Sequence, residues 1–265
     1  MNLKSSIWSW IHRHRRNRLV ARVARLCKNI HRASEHPGYD VTGNGERDVL
    51  ARTVRGAAPV LFDVGANVGD WTEMARGVFP GAAIHAFELN PATVARLAPR
   101  FANAPGVRVH SFGLAAVAGE VNFFAYEGEA SVLSGLRVPL HSHQPHQIKK
   151  ATVRTGDEVC REFGVTQIDF LKVDAEGADY EVLAGFSAML AAQKIAAIQF
   201  EHEGGRYLRD FYDLLEPKGY ALGKLYANYV DFRRHTADLE HFLGPNYLAI
   251  PTARTDLIQA LQRGW

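Results

Sequence analysis

Val60-Leu61-Phe62-Asp63-Val64 reads as a buried strand, and it runs without a break into Gly65-Ala66-Asn67-Val68-Gly69-Asp70. The residues from Asp70 to Val78 carry helical periodicity, and Pro80-Gly81 ends it. A strand that turns through two glycines into a helix restricts the possible folds sharply. Gly65 and Gly69 let the backbone turn tightly and approach a ligand, while the helix N-terminus behind them favours a negatively charged ligand group.

The same alternation continues along the chain. Ala83 to Leu89 is a second strand, Pro91 opens a helix through Phe101, and Val107 to Phe112 is a third strand. Glu120 to Tyr126 alternates as an edge strand or hairpin, and Ser131 to Lys150 is a long polar loop. An amphipathic helix spans Gly156 to Phe163 and packs Cys160. The strand Ile168 to Val173 ends in Asp174-Ala175-Glu176-Gly177 and leads into a helix through Leu190. Ile195 to Phe200 is a further strand, ending in Glu201-His202-Glu203-Gly204-Gly205. A helix from Tyr207 to Glu216 and two late strands, Tyr220 to Tyr226 and Tyr247 to Ile250, complete the pattern. Such alternation predicts an α/β fold, a doubly wound, mostly parallel sheet with its ligand at the C-terminal ends of the strands.

Composition narrows the function classes. With 265 residues, 47% hydrophobic and 22% charged, the chain can bury a sizeable core, and its two cysteines cannot form a disulfide scaffold or a thiolate zinc site. The net charge of +3 hides an asymmetry: residues 1–34 hold nine Lys or Arg and no acid, leaving 22 bases against 28 acids elsewhere. Residues 1–45 therefore read as a basic helical arm and linker, and 46–265 as the ligand-binding domain. In the arm Leu19, Val23, Leu26 and Ile30 recur at helical spacing, behind Ile7, Trp8, Trp10 and Ile11. Indoles beside guanidiniums suit peripheral contact with an anionic membrane face. The same stripe would also serve to pack on the body or on a second subunit of a homo-oligomer. A transit peptide would share the composition, as would a nucleic-acid arm. No apolar run is long enough to span a bilayer, and the expected location is cytoplasmic, with the arm at the inner membrane face.

The cofactor class follows from what the turn lacks. Glu88, at the end of the second strand, suits a carboxylate accepting hydrogen bonds from both ribose hydroxyls of an adenosine. A dinucleotide fingerprint needs glycines where this chain has Asn67 and Asp70, and Asp70 would repel a pyrophosphate. There is no Walker A loop either. A nucleoside cofactor without phosphate, S-adenosylmethionine, escapes both objections, which disfavours a nucleotide-dependent oxidoreductase.

The segments DVGANVGDW (63–71), FELNP (87–91), SFGLA (111–115), IDFLKVDAEGADYEVLAGF (168–186) and FEH (200–202) together resemble the FkbM-type methyltransferases. The resemblance covers residues 58 to 250 and implies the seven-stranded class I methyltransferase fold, with S-adenosylmethionine as methyl donor and S-adenosylhomocysteine as product. It implies that Asp63, Gly65, Ala66, Asn67 and Gly69 form the turn holding the methionine part, and that Glu88, with Leu89 and Asn90, binds the ribose. Gly113 and Leu114 would lie near the adenine, and Asp174 and Glu176 near the reactive sulfonium. The implied reaction is O-methylation of a saccharide, such as a lipid-linked glycan precursor, or of a small metabolite. A non-catalytic cofactor-binding protein recruited by its arm would share every cofactor residue.

An alcohol acceptor needs a base near neutral pH. His202, after the fifth strand, is the first candidate, oriented by Glu201 or Glu176, and Asp174 is its rival. Ser131, Ser134, His141 and Glu201 are candidate acceptor contacts. His141, His143 and His146 do not match a metal-ligand spacing, and no metal is expected. Pro-Cys and Pro-Pro-aromatic base-methylation motifs are absent, which argues against nucleic acid as the substrate.

Overall fold

A computed structural model of the chain describes residues 3–35, 38, 40–126, 146–202, 206–241, 244 and 246–265. The chain divides into two compact units, Met1–Pro37 and Gly38–Trp265. The first holds α1 (Leu3–Arg13) and α2 (Arg18–Glu35), neither of which buries a residue. Along α2 the exposed Leu19, Val23, Leu26 and Ile30 share one face, as their spacing predicts.

The second unit begins with α3 (Glu46–Thr53), β1 (Val60–Val64), α4 (Asp70–Val78), β2 (Ala83–Phe87), α5 (Pro91–Phe101) and β3 (Val107–His110). It continues with β4 (Gly113–Leu114), β5 (Gly119–Ala125), β6 (Gln147–Arg154), α6 (Gly156–Phe163), β7 (Phe170–Val173), α7 (Asp179–Ala184) and α8 (Ser187–Ala191). Last come β8 (Ile198–Glu201), α9 (Leu208–Leu215), β9 (Tyr220–Leu225), β10 (Val230–Phe232), β11 (Asn246–Pro251) and α10 (Thr255–Arg263). The main sheet has the order β10-β9-β11-β8-β7-β1-β2-β3, and β4, β6 and β5 form a separate sheet. Strands β3, β2, β1, β7 and β8 pair in parallel, and β11 inserts antiparallel between β8 and β9. The expected seven strands are present, and the three-residue β10 adds an eighth at the edge. Strand order reverses on either side of β1, so the crevice beyond the ends of β1 and β7 is the switch point where such sheets take ligands.

Period-two alternation gives each face of the sheet its own core. Phe62 and Val64 of β1 join Leu171, Val173 and Phe186 on one face. Leu61 joins Phe170, Trp71 and Leu50 on the other. Asp63 and Lys172 are register partners in the middle of the sheet, on the face covered by α3 and α4.

Local signals set most boundaries. Asn90 caps α5 by accepting from the Ala92 N–H, with Pro91 in the first turn. Thr155 and Glu158 form a capping box on α6, and Gly164 ends that helix in the left-handed region. Three expectations need correction. Residues 147–150, expected in a loop, lie in β6, because they pair with Asn122 to Ala125 of β5. The helix expected to run to Leu190 is broken into α7 and α8. Asp157 caps α8 from another helix, accepting from the Ala188 and Met189 N–H groups at 2.8 and 3.1 Å. A Cβ on Gly185, at the break, would lie 2.2 Å from the Ala115 carbonyl oxygen. The strand expected from Ile195 begins at Ile198, preceded by a single bridge between Ile168 and Ile195.

Two glycines test this packing in opposite directions. A Cβ on Gly156 would lie 2.3 Å from the ring of the fully buried Phe186, whereas one on Gly77, within α4, meets nothing within 4 Å. Gly156→Ala is expected to lower stability by about 1–3 kcal/mol in urea titration, and Gly77→Ala to raise it by ~0.5–1 kcal/mol.

Candidate functional site

The two glycines of the turn after β1 do different structural jobs. Gly65 has φ +81°, and a Cβ there would lie 1.8 Å from the Asp174 carbonyl oxygen. The turn leaving β1 therefore crosses directly over the chain leaving β7. The N–H groups of Gly65 and Ala66 both donate to the Phe87 carbonyl at 2.9 Å, which ties the turn to the end of β2 as well. Gly69, at φ +90°, starts α4 where a Cβ would meet the Phe101 ring at 2.4 Å, so it serves helix packing and lines no cavity.

Glu88 is buried just past the end of β2. Its Oε2 accepts from the Asn67 N–H at 3.0 Å and its Oε1 from the Asn90 N–H at 2.8 Å. Burial pushes its carboxyl up to about 6, against the opposing pull of those N–H groups.

Beside Glu88 lies a cavity with about 650 Å³ of empty space, open solvent included. Gly65, Asn67, Glu88, Leu89, Gly113, Leu114, Asp174 and Glu176 line it, as expected, with Thr93, Val153 and Ala178 in addition. A Cβ on Gly113 would meet Leu89 at 3.1 Å and Val153 at 3.3 Å, so both side chains pack closely against the Gly113 backbone. A second cavity, of about 1200 Å³, shares Gly65, Asn67, Asp174 and Glu176 with the first. Ala66 and Glu201 line this second space, together with Asn44, Glu46, Trp71, Lys172 and Asn246, which the sequence did not single out.

Beneath the shared wall sits a buried charge cluster. Lys172 Nζ is 2.9 Å from Asp174 Oδ2 and 4.0 Å from Asp63 Oδ1. Burial alone would lower the Lys172 pKa, but Asp174, Asp63, Glu46 and Glu201 hold it above the ordinary lysine value. Asp63 Oδ2 accepts from the Thr72 hydroxyl at 2.6 Å. Asp63 is fully buried and lines neither cavity, and Asn90 is spent on the α5 cap. Both support the site from behind.

The structure does not bring His202 to the site. Its ring is buried edge-on to Phe211 and Tyr247, and it lines neither cavity. Its Nε2 is 3.1 Å from the Arg206 carbonyl, an acceptor only, so that nitrogen carries the proton and donates it. Burial also pushes its pKa below the usual histidine value. Sequence position at a strand end misled here, because the side chain turns back onto the loop after β8. Ser131, Ser134, His141 and His143 lie outside the described residues, as does Glu203 to Gly205. His146 stands edge-on to Phe124, 5.1 Å between ring centroids, and no cluster of metal ligands occurs among the described residues.

The first cavity fits S-adenosylmethionine by its chemistry. Glu88, Asp174 and Glu176 face it, and no cation is among the described residues that line it, which suits a cationic nucleoside and repels a pyrophosphate.

Asp179, also unrecognised from sequence, gives a stability test. It is buried behind Asp174, with Oδ1 accepting from the Glu201 N–H at 3.2 Å and Oδ2 without a hydrogen-bond partner. Burial, then the Asp174 charge, pushes its carboxyl up to about 7. A folded-state pKa above the unfolded value of about 3.9 means stability present below pH ~4 and lost as pH rises through ~7. Urea titrations are expected to show stability falling over that window. Asp179→Asn should flatten the slope between pH ~4 and ~7 and raise the folding constant at pH 8 about tenfold; an unchanged slope would refute this.

The family model for the methyltransferase FkbM domain matches residues 63–222. The hexuronic acid methyltransferase AglP of Haloferax volcanii is 30% identical over 168 residues, covering 60% of this chain and 64% of that protein. The chain thus spans less than two thirds of that relative's length. The 2-O-methyltransferase NoeI of Sinorhizobium fredii is 26% identical over 172 residues, covering 59% of this chain and 71% of that protein. Among solved structures, a precorrin-6y C5,15-methyltransferase of Geobacter metallireducens aligns at 15% identity over 77% of this chain and 85% of that one. Its TM-score is 0.43, too distant to inform the site. With the family model spanning both the glycine turn and the Asp174 segment, the chain belongs to the FkbM methyltransferase family.

Proposed function

We propose that this protein is an S-adenosylmethionine-dependent O-methyltransferase acting on a saccharide hydroxyl. The observation that carries the reading is that Gly65, Asn67, Asp174 and Glu176 line both the cavity beside Glu88 and a second, larger cavity. Methyl transfer needs donor and acceptor to meet across one boundary, and positioning accounts for much of the rate. The names of AglP and NoeI, a hexuronic acid methyltransferase and a 2-O-methyltransferase, support oxygen methylation and a sugar acceptor.

S-adenosylmethionine, when bound, supplies an electrophilic methyl carbon on a sulfonium leaving group. Glu88 would accept from the ribose hydroxyls, Leu89, Gly113 and Leu114 would enclose the base, and the backbone from Gly65 to Asn67 would meet the methionine end. Asp174 takes the base role in place of His202. It stands at the boundary, its Oδ2 held by Lys172 at 2.9 Å, and would receive the hydroxyl proton as the new C–O bond forms. Glu176, in the left-handed region at φ +50°, projects from the same turn into both cavities.

The basic arm is proposed to rest on the anionic, cytoplasmic face of a membrane. Its exposed Leu19, Val23, Leu26 and Ile30 would enter the headgroup boundary, Trp8 and Trp10 would sit at headgroup depth, and the arginines would meet lipid phosphate. No helix among the described residues is long and apolar enough to cross a membrane.

Two measurements test these readings. Calorimetry is expected to give micromolar binding of S-adenosylhomocysteine, at least tenfold weakened by Glu88→Ala, with no binding of NADH or ATP. Because ionised Glu88 accepts from both ribose hydroxyls and protonation costs it one acceptor, affinity should fall as pH drops below ~6. Preference for NADH would overturn the assignment. In vesicle sedimentation the chain should pellet with phosphatidylglycerol vesicles far more than with phosphatidylcholine, and Leu26→Glu should abolish the difference. Equal pelleting with both lipids would end the membrane reading.

A further inference from the structure

We propose that Lys172 is a positioning residue for methyl transfer: its ammonium is the counter-charge of Asp174, and it ties up one carboxylate oxygen so that the other faces the cavities. The inference rests on the methyl-transfer reading above and adds to it the residue through which Asp174 is set.

Packing alone gives no reason for an ammonium here. Lys172 lies in β7 between Leu171 and Val173, both fully buried, and is itself only 5% exposed. A buried charge is costly, and apolar side chains of similar volume in place of a buried ion pair are often neutral or stabilising. What holds the ammonium is its carboxylates: Nζ donates to Asp174 Oδ2 at 2.9 Å and stands 4.0 Å from Asp63 Oδ1.

The arrangement is closed at one end and open at the other. The side chains of Lys172 and Asp63 are 7% and 0% exposed, whereas that of Asp174 is 30% exposed, and Asp174 lines both cavities. Asp63 is held from behind, its Oδ2 accepting from the Thr72 hydroxyl of α4 at 2.6 Å. Its Oδ1 has no hydrogen-bond partner and is the oxygen nearer the ammonium. Lys172 is thus fixed between a carboxylate anchored to α4 and one that reaches the cavities.

The elements packed around this pair bring further carboxylates. Asp63 on β1, Glu46 on α3 and Glu201 on β8 act on Lys172, Asp179 on α7 is coupled to Asp174, and Glu176 follows in the same turn. Asp179 shows what this setting does to a carboxylate with no cation at ion-pair distance among the described residues: burial, then the Asp174 charge, pushes it up to about 7. Without Lys172, Asp174 would meet the same neighbours with no counter-charge and would take up a proton at a higher pH.

Calorimetry of the full chain with S-adenosylmethionine and S-adenosylhomocysteine, between pH ~5 and ~9, tests this without an acceptor. The two ligands share their ribose and methionine ends and differ in the sulfonium methyl and its charge, so their affinity ratio reads the carboxylate that faces the sulfur. The ratio is expected to shift toward S-adenosylmethionine as pH rises through one midpoint, and Asp174→Asn should flatten it. Lys172→Met should move the midpoint up by at least one pH unit, whereas Lys172→Arg, which keeps the charge, should leave it within a few tenths. Should Lys172→Met fail to fold, the double variant Asp63→Asn/Lys172→Met removes one charge of each sign and is expected to show the same upward shift. A midpoint that these variants leave in place, or that Lys172→Arg moves equally, makes Lys172 a packing residue and overturns the inference while the cofactor reading stands. A ratio flat with pH, or one that Asp174→Asn leaves pH-dependent, also overturns it. If neither ligand binds, the methyl-transfer reading itself fails and this inference with it.

Discussion

The site depends on one close approach, the backbone of Gly65 against the carbonyl of Asp174. Any side chain at 65 would overlap that oxygen, at 1.8 Å from a Cβ, so the crossing exists only because the residue is glycine and can hold φ +81°. The crossing joins the chain leaving β1 to the chain leaving β7 at the switch point of the sheet. It makes a thin partition, and the two cavities are the spaces on either side of it. A donor on one side and an acceptor on the other would be separated by little more than the Asp174 and Glu176 side chains.

Charge beneath the partition decides what it can hold. Lys172 and Asp63 face each other across adjacent strands, and with Asp174 they form a buried cluster that carries more carboxylate than ammonium. Removing Lys172 would leave buried carboxylate without its counter-charge, costing several kcal/mol on the scale of about 3–5 for a broken buried pair. The cluster therefore fixes the Asp174 side chain while keeping the region electronegative. A cationic ligand relieves that excess, and an anionic one adds to it. Burial, with a lesser push from neighbouring carboxylates, raises the pKa values of Glu88 and Asp179.

Much of this was legible in the sequence where a residue type has a narrow structural use. The Asp63 to Asp70 turn, Glu88 at the strand end, the Asn90-Pro91 cap and the α6 helix each rest on local chemistry, and each stands where the sequence puts it. What failed was whatever depends on distant partners. His202 occupies the expected position in the chain, yet its rotamer is decided by Phe211, Tyr247 and the Arg206 carbonyl, none of which spacing can reveal. Lys172 is hidden inside an apolar strand, and its value comes from Asp63, more than a hundred residues away. Glu46 belongs to a short helix with no strong periodic signal, and it lines the larger cavity, its carboxylate held by Asn44 and by the distant Gln199. The break between α7 and α8 likewise comes from Asp157 and Ala115, not from the apolar run itself.

The most direct test of the central claim is a crystal structure of the chain with S-adenosylhomocysteine. The account predicts the ribose hydroxyls on Glu88, the base between Leu89 and Leu114, and the sulfur at the Asp174–Glu176 wall pointing toward the larger cavity. A nucleoside bound elsewhere, or a sulfur sealed from that cavity by Gly65 and Asp174, would contradict it.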